Sequence, residues 1–348
     1  MRIAFFVNSI EGETPIYTTT LLALAALGRG HDICYVTPGD FVLRPDDSLM
    51  VRALTLPGAS YKKAETLHKD LQGDKTVIET IDVADIDVLF LRNDPSLDAA
   101  ERPWAAQVGT MFGRLAAPRG VLVVNDPDGL AGAQNKLYFQ DFPAIVRPTT
   151  LISKNIEEIR AFIDDQRKGV IVKPLQGSGG RHVFKITSPK DANLNQIFEA
   201  VSGEGYLIVQ AFIPEAAEGD IRFFLMNGRP LRREGKYAAF RRVPAKGEIR
   251  SNIHANGTPQ RVDITPEILA IAETVRPKLI HDGMFLVGLD IVGSKILEIN
   301  VFTPGGLDNI SQMYKTNFSE SVIAALEEKI AMRAAYGRSV TNRELNTL

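Results

Sequence analysis

Asp290, Glu298 and Asn300 are the side chains whose types and spacing point most directly to chemistry. They fall in residues 287–306, VGLDIVGSKILEINVFTPGG. With the two-residue period of a strand, this stretch reads as a hairpin. Leu289, Ile291, Leu297 and Ile299 lie on one face, and Asp290, Glu298 and Asn300 on the other. The grouping needs a loop of three residues, Gly293-Ser294-Lys295, which sets Asp290 opposite Glu298. A two-residue Gly-Ser loop would send Asp290 to the opposite face from Glu298, because a one-residue slip inverts every side chain. Three oxygen donors on one rigid face suit Mg²⁺, a hard cation that commonly also binds substrate phosphates. The bland alternative is a surface hairpin with a polar outer face. It accounts less well for an acidic set followed at once by Thr303-Pro304-Gly305-Gly306.

A second constellation is KPLQGSGG, residues 173–180, at the end of an apolar strand. Glycines let backbone N–H groups close around an anion. The stretch is neither a Walker A loop nor G-x-G-x-x-G. On the glycines alone a plain turn fits as well, and the strand-final Lys173 tips the reading toward phosphate. Gly235-Lys236 after Gly228 is no P-loop, since Tyr237 stands where a hydroxyl for Mg²⁺ belongs. VQAFIP, residues 209–214, is a strand ending in an apolar hinge. It could flank a flat base with free backbone groups, although core-to-loop transitions read the same way. Asp220 and Arg222, two apart on the next strand, share a face. Arg241, Arg242, Lys246 and Arg250 form a basic run suited to phosphate or carboxylate, or to a solvated surface. Arg92 and Asp94 follow the strand DVLFLR, at the carboxyl end of a parallel sheet where ligands commonly bind. The five histidines show no metal spacing, and HExxH, CxxC and G-x-S-x-G are absent.

Elements that position these residues are legible by period and punctuation. Residues 2–8, 17–29 and 32–37 read as strand, helix and strand, a βαβ unit of a parallel sheet. Further strands at 87–92 and 120–124 close a first domain at residues 1–124. Residues 156–166 form a helix with Asn155 as N-cap and Glu158 at the capping-box position. Strands follow at 169–173, 207–210 and 221–226. Residues 266–281 form a helix capped by Thr265, with Pro266 in its first turn and Gly283 past its end. A last amphipathic helix spans 319–332, and 341–348 reads as a polar, frayed end. With 348 residues, 45% hydrophobic and 24% charged, the chain has ample core for two or three domains. A net charge of −2 argues against nucleic acid or an anionic membrane as partner. No apolar run spans a bilayer, no signal peptide precedes the first strand, and the single Cys34 reads as a buried, inert thiol. A cytoplasmic protein is expected.

In this order the segments resemble the ATP-grasp superfamily, and most closely the prokaryotic glutathione synthetase family. The resemblance covers residues 1–330. It rests on LRNDPSLD at 91–98, VNDPDGL and NKL at 124–137, KPLQGSGG, VQAFIP, GDIR at 219–222, EIRSN at 248–252, and GLDIVG with LEIN at 288–300. It implies an α/β and α+β ATP-grasp fold: a Rossmann-like α/β domain at 1–124, a central subdomain at 125–204, a C-terminal subdomain at 205–330 and a tail at 331–348. Carried over residue by residue, Lys136 and Lys173 touch the nucleotide phosphates, with Gln176, Gly177, Ser178, Gly179 and Gly180 closing over them. Gln210, Ala211, Phe212 and Ile213 hold the adenine, and Asp220 lies on the nucleotide side. Asp290, Glu298 and Asn300 bind Mg²⁺, with Mn²⁺ an acceptable substitute. Arg250 and Asn252 steady the transferred phosphoryl group and the reacting carboxylate. Arg92, Asp94, Arg222, Arg242, Thr303, Pro304, Gly305 and Gly306 face the substrate.

The implied activity is an ATP-dependent carboxylate–amine ligase working through an acyl phosphate, with γ-glutamylcysteine and glycine as the leading pair. Small peptide or amino-acid substrates and a homo-oligomer come with the resemblance. Asn93 stands where the family has lysine, and Thr303-Pro304-Gly305-Gly306 and EIRSNIHANG lean toward the ribosomal-protein glutamate ligases. The alternatives are the same chemistry on another peptide or amino-acid pair, and a catalytically silent nucleotide-binding regulator.

Overall fold

The structure, a computed structural model, describes residues 1–348 except Pro57, Ala59, 178–181, Glu204, 246–256 and the side chain of Ala100. The first unit comprises β1 (Arg2–Phe6), α1 (Thr18–Gly28), β2 (Asp32–Val36), β3 (Phe41–Leu43), β4 (Leu49–Thr55), α2 (Ala64–Leu71), β5 (Val77–Asp82), β6 (Val88–Leu91), α3 (Pro95–Glu101), α4 (Val108–Ala116) and β7 (Leu122–Val124). Its seven-stranded sheet has the order β3-β4-β2-β1-β6-β7, with β5 on β4. β1 runs parallel to β2 and β6, and β6 to β7. β6 and β7 are buried throughout, as unbroken apolar runs should be in a parallel sheet covered on both faces. Cys34 is 1% exposed on β2, and burial pushes its thiol up to about 12, so it is an inert core residue.

The next elements are α5 (Pro127–Gly132), β8 (Thr150–Ser153), α6 (Ile156–Asp165), β9 (Val170–Pro174), β10 (Phe184–Ile186), α7 (Leu194–Ser202) and β11 (Leu207–Ala211). The four strands make an antiparallel sheet, β10-β9-β11-β8. Ile159 and Ile163 of α6 and Leu194 and Val201 of α7 pack on Val170, Val172 and Val209, a core of its own. The expected capping box at α6 does not form. Asn155 does cap, accepting from Glu157 N at 2.9 Å. The Glu158 carboxylate instead accepts from Ser153 Oγ at 2.6 Å, and that oxygen accepts from Asn155 N at 3.0 Å. A serine thus relays the bond that a capping box makes directly.

The last unit holds β12 (Asp220–Met226), β13 (Arg229–Pro230), β14 (Arg232–Arg233), β15 (Lys236–Tyr237), β16 (Ala239–Val243), β17 (Thr258–Gln260), α8 (Pro266–His281), β18 (Leu286–Val292), β19 (Lys295–Asn300), α9 (Leu307–Tyr314), α10 (Phe318–Tyr336) and α11 (Asn342–Leu345). Its main sheet has the order β17-β16-β12-β18-β19. This sheet and the N-terminal one share their cores: Phe6 and Leu91 join a cluster with Phe223, Val287 and Leu289, and Phe5 and Phe90 join Phe224, Phe240 and Phe285. Asn125, just past β7, locks the two units. Its amide donates to Leu286 O at 3.1 Å and Val301 O at 2.5 Å, and its oxygen accepts from Leu286 N at 2.9 Å. Among the described residues, no helix is long and apolar enough to cross a membrane.

The end of the chain is not frayed. Thr341 and Glu344 form a capping box for α11, and Asn342 exchanges both hydrogen bonds with Val123 of β7 at 2.9 Å. Leu345 and Asn346 are fully buried, and Lys329, 1% exposed, donates to Leu345 O and Leu348 O at 2.7 Å each. Burial lowers the Lys329 amine to about 8. The unfolded chain therefore binds more protons between this value and the ordinary lysine value, and stability rises with pH across that window. Between about pH 7.5 and 9.5 this group contributes a rise of about 2 kcal/mol. Urea melts of the wild type and Lys329→Met at both pH values check it: the rise should shrink in the variant, and parallel curves would refute it.

Candidate active site

The hairpin turns through Gly293 and Ser294 alone, with Val292 opposite Lys295. The three-residue loop is therefore not the one used. The register is recovered by a bulge: Ile291 pairs with Ile296 and Asp290 with Glu298, leaving Leu297 as the extra residue. Asp290 and Glu298 share a face as expected, reached by a different route, with Asn300 following opposite Gly288. The apolar face changes accordingly, and Ile296 at 0% exposure takes the core position expected for Leu297.

Register on the other side of β18 decides the electrostatics. Arg222 lies opposite Asp290, and Asp220 opposite Arg242. Arg222 Nε and Nη2 donate to Asp290 at 2.5 and 3.1 Å, and Arg242 Nη2 reaches Asp290 Oδ2 at 2.8 Å. Arg242 also pairs with Asp220, Nε to Oδ1 at 3.0 Å. All four are buried. Burial alone would raise the Asp290 carboxyl, yet Arg222 and Arg242 hold it down at about 2. For Arg242, burial lowers the value, but Asp290 and Asp220 outweigh it and keep the guanidinium charged.

The donor set fits a hard cation. Asp290 is ionised, and among the described residues its Oδ1 accepts one N–H, from Arg222 Nε, which leaves a lone pair. Glu298 has Lys136 Nζ at 3.8 Å, beyond a hydrogen bond. Asn300 Nδ2 sits 3.4 Å from Asp290 Oδ2, so the amide is within reach of the same centre. Among the described residues no group of three His, Cys, Asp or Glu side chains stands as a metal cluster; this set is two carboxylates and an amide.

Lys136 joins the two constellations. It opens a short turn, its N–H donates to Leu175 O at 3.1 Å, and its amine donates to Gly177 O while lying beside Glu298. Gly177 has φ +117, open to glycine but strained for other residues. Lys173 at the end of β9 sits 3.4 Å from Gln210 Oε1. Burial lowers the Lys173 amine to about 8, Glu298 and Asp290 opposing and Lys136 reinforcing. Gln176 is exposed at the mouth of the loop. Ser178, Gly179 and Gly180 lie outside the described residues, as do Arg250, Asn252, Lys246 and His254.

The other candidates have partners within the chain. The N–H groups of Ala211 and Phe212 are not free: they donate to Thr149 O at 2.8 Å and Gly169 O at 3.0 Å. The Phe212 ring is covered by Lys185 Nζ at 3.6 Å. Ile213 precedes a 3₁₀ turn, and Asp220 is engaged by Arg242. Asp94 is an N-cap for α3, its Oδ1 accepting from Ser96 N at 2.9 Å and Ser96 Oγ at 2.7 Å. Arg92 and Arg222, from different sheets, grip consecutive carbonyls: Arg92 Nη2 to Pro304 O at 3.1 Å and Arg222 Nη1 to Gly305 O at 2.9 Å. Thr303 is half-buried, and Gly306, φ +113, would clash with Phe240 if it carried a Cβ. One arrangement had no signal in sequence: the guanidinium of Arg242 that Asp220 and Asp290 share.

The chain matches the model for the prokaryotic glutathione synthetase ATP-grasp domain over residues 135–315 and that for the prokaryotic glutathione synthetase N-terminal domain over residues 1–131. It is 32% identical to a glutathione synthetase of Synechococcus elongatus over 336 residues, covering 94% of this chain and 98% of the relative. It is 34% identical to one of Bradyrhizobium diazoefficiens over 332 residues, covering 93% and 95%. Among solved structures it is similar to the ATP-grasp ligase PsnB in complex with a minimal precursor, Mg and ADP, with TM-score 0.58 and 15% identity over 94% of this chain and 98% of that one. That likeness carries the fold.

Proposed function

Since this chain belongs to the prokaryotic glutathione synthetase family, we propose that it joins the cysteinyl carboxylate of γ-glutamylcysteine to the amine of glycine at the expense of ATP. It is an ATP-dependent ligase that forms C–N bonds. The observation that carries the reading is Lys136, whose amine bonds to Gly177 of the glycine loop beside Glu298 of the hairpin. Backbone of the glycine loop, a cationic amine and a carboxylate of the hairpin lie within one side chain's reach.

In this reading Lys136 and Lys173 meet the phosphates, the loop from Gln176 to Gly180 encloses them, and Gln210, Ala211, Phe212 and Ile213 border the base. Asp290, Glu298 and Asn300 would hold Mg²⁺, or Mn²⁺. The metal, when bound, neutralises charge developing between the nucleotide and the accepting carboxylate. The carboxylate attacks the γ-phosphorus, ADP leaves, and the amine then displaces inorganic phosphate from the acyl phosphate. Phosphoryl transfer needs positioning and charge neutralisation more than covalent help. Arg250 and Asn252 are assigned to the phosphoryl group and the carboxylate. Arg92, Arg222, Arg242 and the turn Thr303–Gly306 are assigned to the substrate side, and a homo-oligomer is the expected assembly.

Lys173 gives a pH signature. The charged amine is the form that attracts phosphate, and it is lost as pH rises through about 8. In the free protein kcat/KM for ATP should therefore fall on an alkaline limb near that value, and Lys173→Met should remove the limb along with most activity. A wild-type profile flat to high pH would refute the assignment.

ADP release with ATP and Mg²⁺, given γ-glutamylcysteine and glycine together and singly with products weighed by mass spectrometry, tests the whole reading. ADP and glutathione only with both substrates is the expected result. ATP binding without turnover would favour the second reading, another peptide or amino-acid pair. Asn93, 2% exposed against Gly109, is the departure that motivates it.

A further inference from the structure

Buried polar atoms in native proteins nearly always have hydrogen-bond partners, so a group of them without partners marks a place built for something else. Such a group stands at the carboxyl ends of the parallel strands. Glu13, on the loop after β1, is 8% exposed, and its Oε2 has no partner. Arg92, at the end of β6, is 3% exposed. Its Nε and Nη2 are tied to Thr19 Oγ1 and Pro304 O, and its Nη1 has no partner. Tyr35 OH and Thr14 Oγ1 are likewise buried and unpartnered. The groups sense one another: burial pushes the Glu13 carboxyl up to about 7 against the pull of Arg92, and the Tyr35 phenol is raised by burial and further by Glu13. Yet Glu13 and Arg92 form no ion pair among the described residues.

A buried carboxylate and a buried guanidinium, each with an idle atom and not joined to each other, are complementary to one ligand class. That ligand carries a cation and an anion a short distance apart. We propose that Glu13 and Arg92 form a subsite for the zwitterionic α-amino-acid head of a substrate, Glu13 accepting from its ammonium and Arg92 Nη1 donating to its carboxylate. The unpartnered Tyr35 OH adds a third hydrogen-bonding group, and Tyr35 also borders a neighbouring cavity of about 280 Å³ lined by Asn8, Ser9 and Thr37 rather than by Glu13 or Arg92. Arg92 also ties this place to the hairpin. It holds Pro304 O while Arg222 holds Gly305 O and Asp290, so a ligand seated on Arg92 is keyed to the metal-binding face.

The inference rests on the ligase reading above. There the γ-glutamyl end of the donor keeps a free amino group and a free α-carboxylate, remote from the carboxylate that reacts. The acceptor glycine carries the same head before it loses a proton to attack. The test separates these sources. Wild type and Glu13→Gln are titrated calorimetrically with γ-glutamylcysteine and with N-glutarylcysteine, the same molecule lacking the α-amino group, and KM is measured for donor and glycine. Removing one charge-assisted bond should cost the wild type about tenfold to 100-fold in affinity for the des-amino analogue. E13Q should raise KM for γ-glutamylcysteine by a similar factor, with kcat within a few-fold, and should bind the analogue as the wild type does.

A rise confined to glycine assigns the head to the acceptor and keeps the subsite. A wild type that binds both donors equally, or an E13Q chain unchanged in both constants, overturns the proposal and leaves Glu13 to bound water only. If γ-glutamylcysteine is not turned over at all, the ligase substrate is wrong. The subsite then stands or falls on whether wild type still binds that peptide more tightly than E13Q. Should E13Q fail to fold, the wild-type comparison of the two donors decides alone.

Discussion

Glu298→Gln lowers turnover by roughly 10³-fold or more while the melting temperature stays within a degree or two. The two halves of this result have separate causes. Glu298 projects from β19 with 40% of its side chain exposed, and its cationic neighbour is Lys136 at 3.8 Å. An exposed pair at that distance contributes little to stability, so an isosteric amide costs the fold almost nothing. For the chemistry the change is large. In the proposed metal-holding role Gln would keep one acceptor oxygen and lose the charge, and charge on a hard cation's ligand is what holds the cation against water and phosphate. A thousandfold loss corresponds to about 4 kcal/mol of transition-state stabilisation, within the range that a metal ion would supply to phosphoryl transfer. ADP release against Mg²⁺ concentration measures it, with calorimetric melting of the same preparations. Activity within a few-fold of wild type would remove Glu298 from the site. Activity restored by excess Mg²⁺ would keep the site and reduce Glu298 to one ligand among several.

The hairpin was legible because its constraint is local. A two-residue period and a required pairing of Asp290 with Glu298 leave few registers. The loop was misjudged because a bulge adds a residue with no compositional mark, so Leu297 read as core and Ile296 did not. The parallel strands around β1 and β6 and the caps Asn155 and Thr265 were legible for the same reason: period and punctuation act over a few residues. What escaped depends on distant pairings. That Arg242 stands opposite Asp220 and Arg222 opposite Asp290 follows from the order β16-β12-β18, which no short window contains. The docked end of the chain depends on Val123 and Lys329, and the proposed subsite joins Glu13 to Arg92, far apart in the chain. A polar stretch such as 341–348 looks like a loose end until a sheet supplies its partners.

Arg242→Leu destabilises the chain by about 3–5 kcal/mol, the range seen when one partner of a buried ion network is removed. At roughly 2–4 °C per kcal/mol for a chain of this size, the melting temperature falls by about 10 °C. The reason is geometric. One guanidinium serves two buried carboxylates, Asp220 and Asp290, 3% and 4% exposed, on two neighbouring strands. Leucine fills similar volume, so packing is not what is lost. Two carboxylates instead give up a desolvated cation that solvent cannot replace. Acid unfolding supplies an independent readout. Against burial, Arg222 and Arg242 hold the Asp290 carboxyl at about 2, below its ordinary value, so its contribution is present above pH ~4 and is lost as pH falls toward ~2. Without Arg242 the burial cost is opposed by Arg222 alone, the carboxyl rises, and the acid limb should move to higher pH. Asp220→Asn added to the leucine variant should recover part of the loss, because it removes one of the two charges that Arg242 balanced. A leucine variant that melts like the wild type, with an unmoved acid limb, would mean that the network is solvated and that Arg222 alone keeps Asp290 ionised.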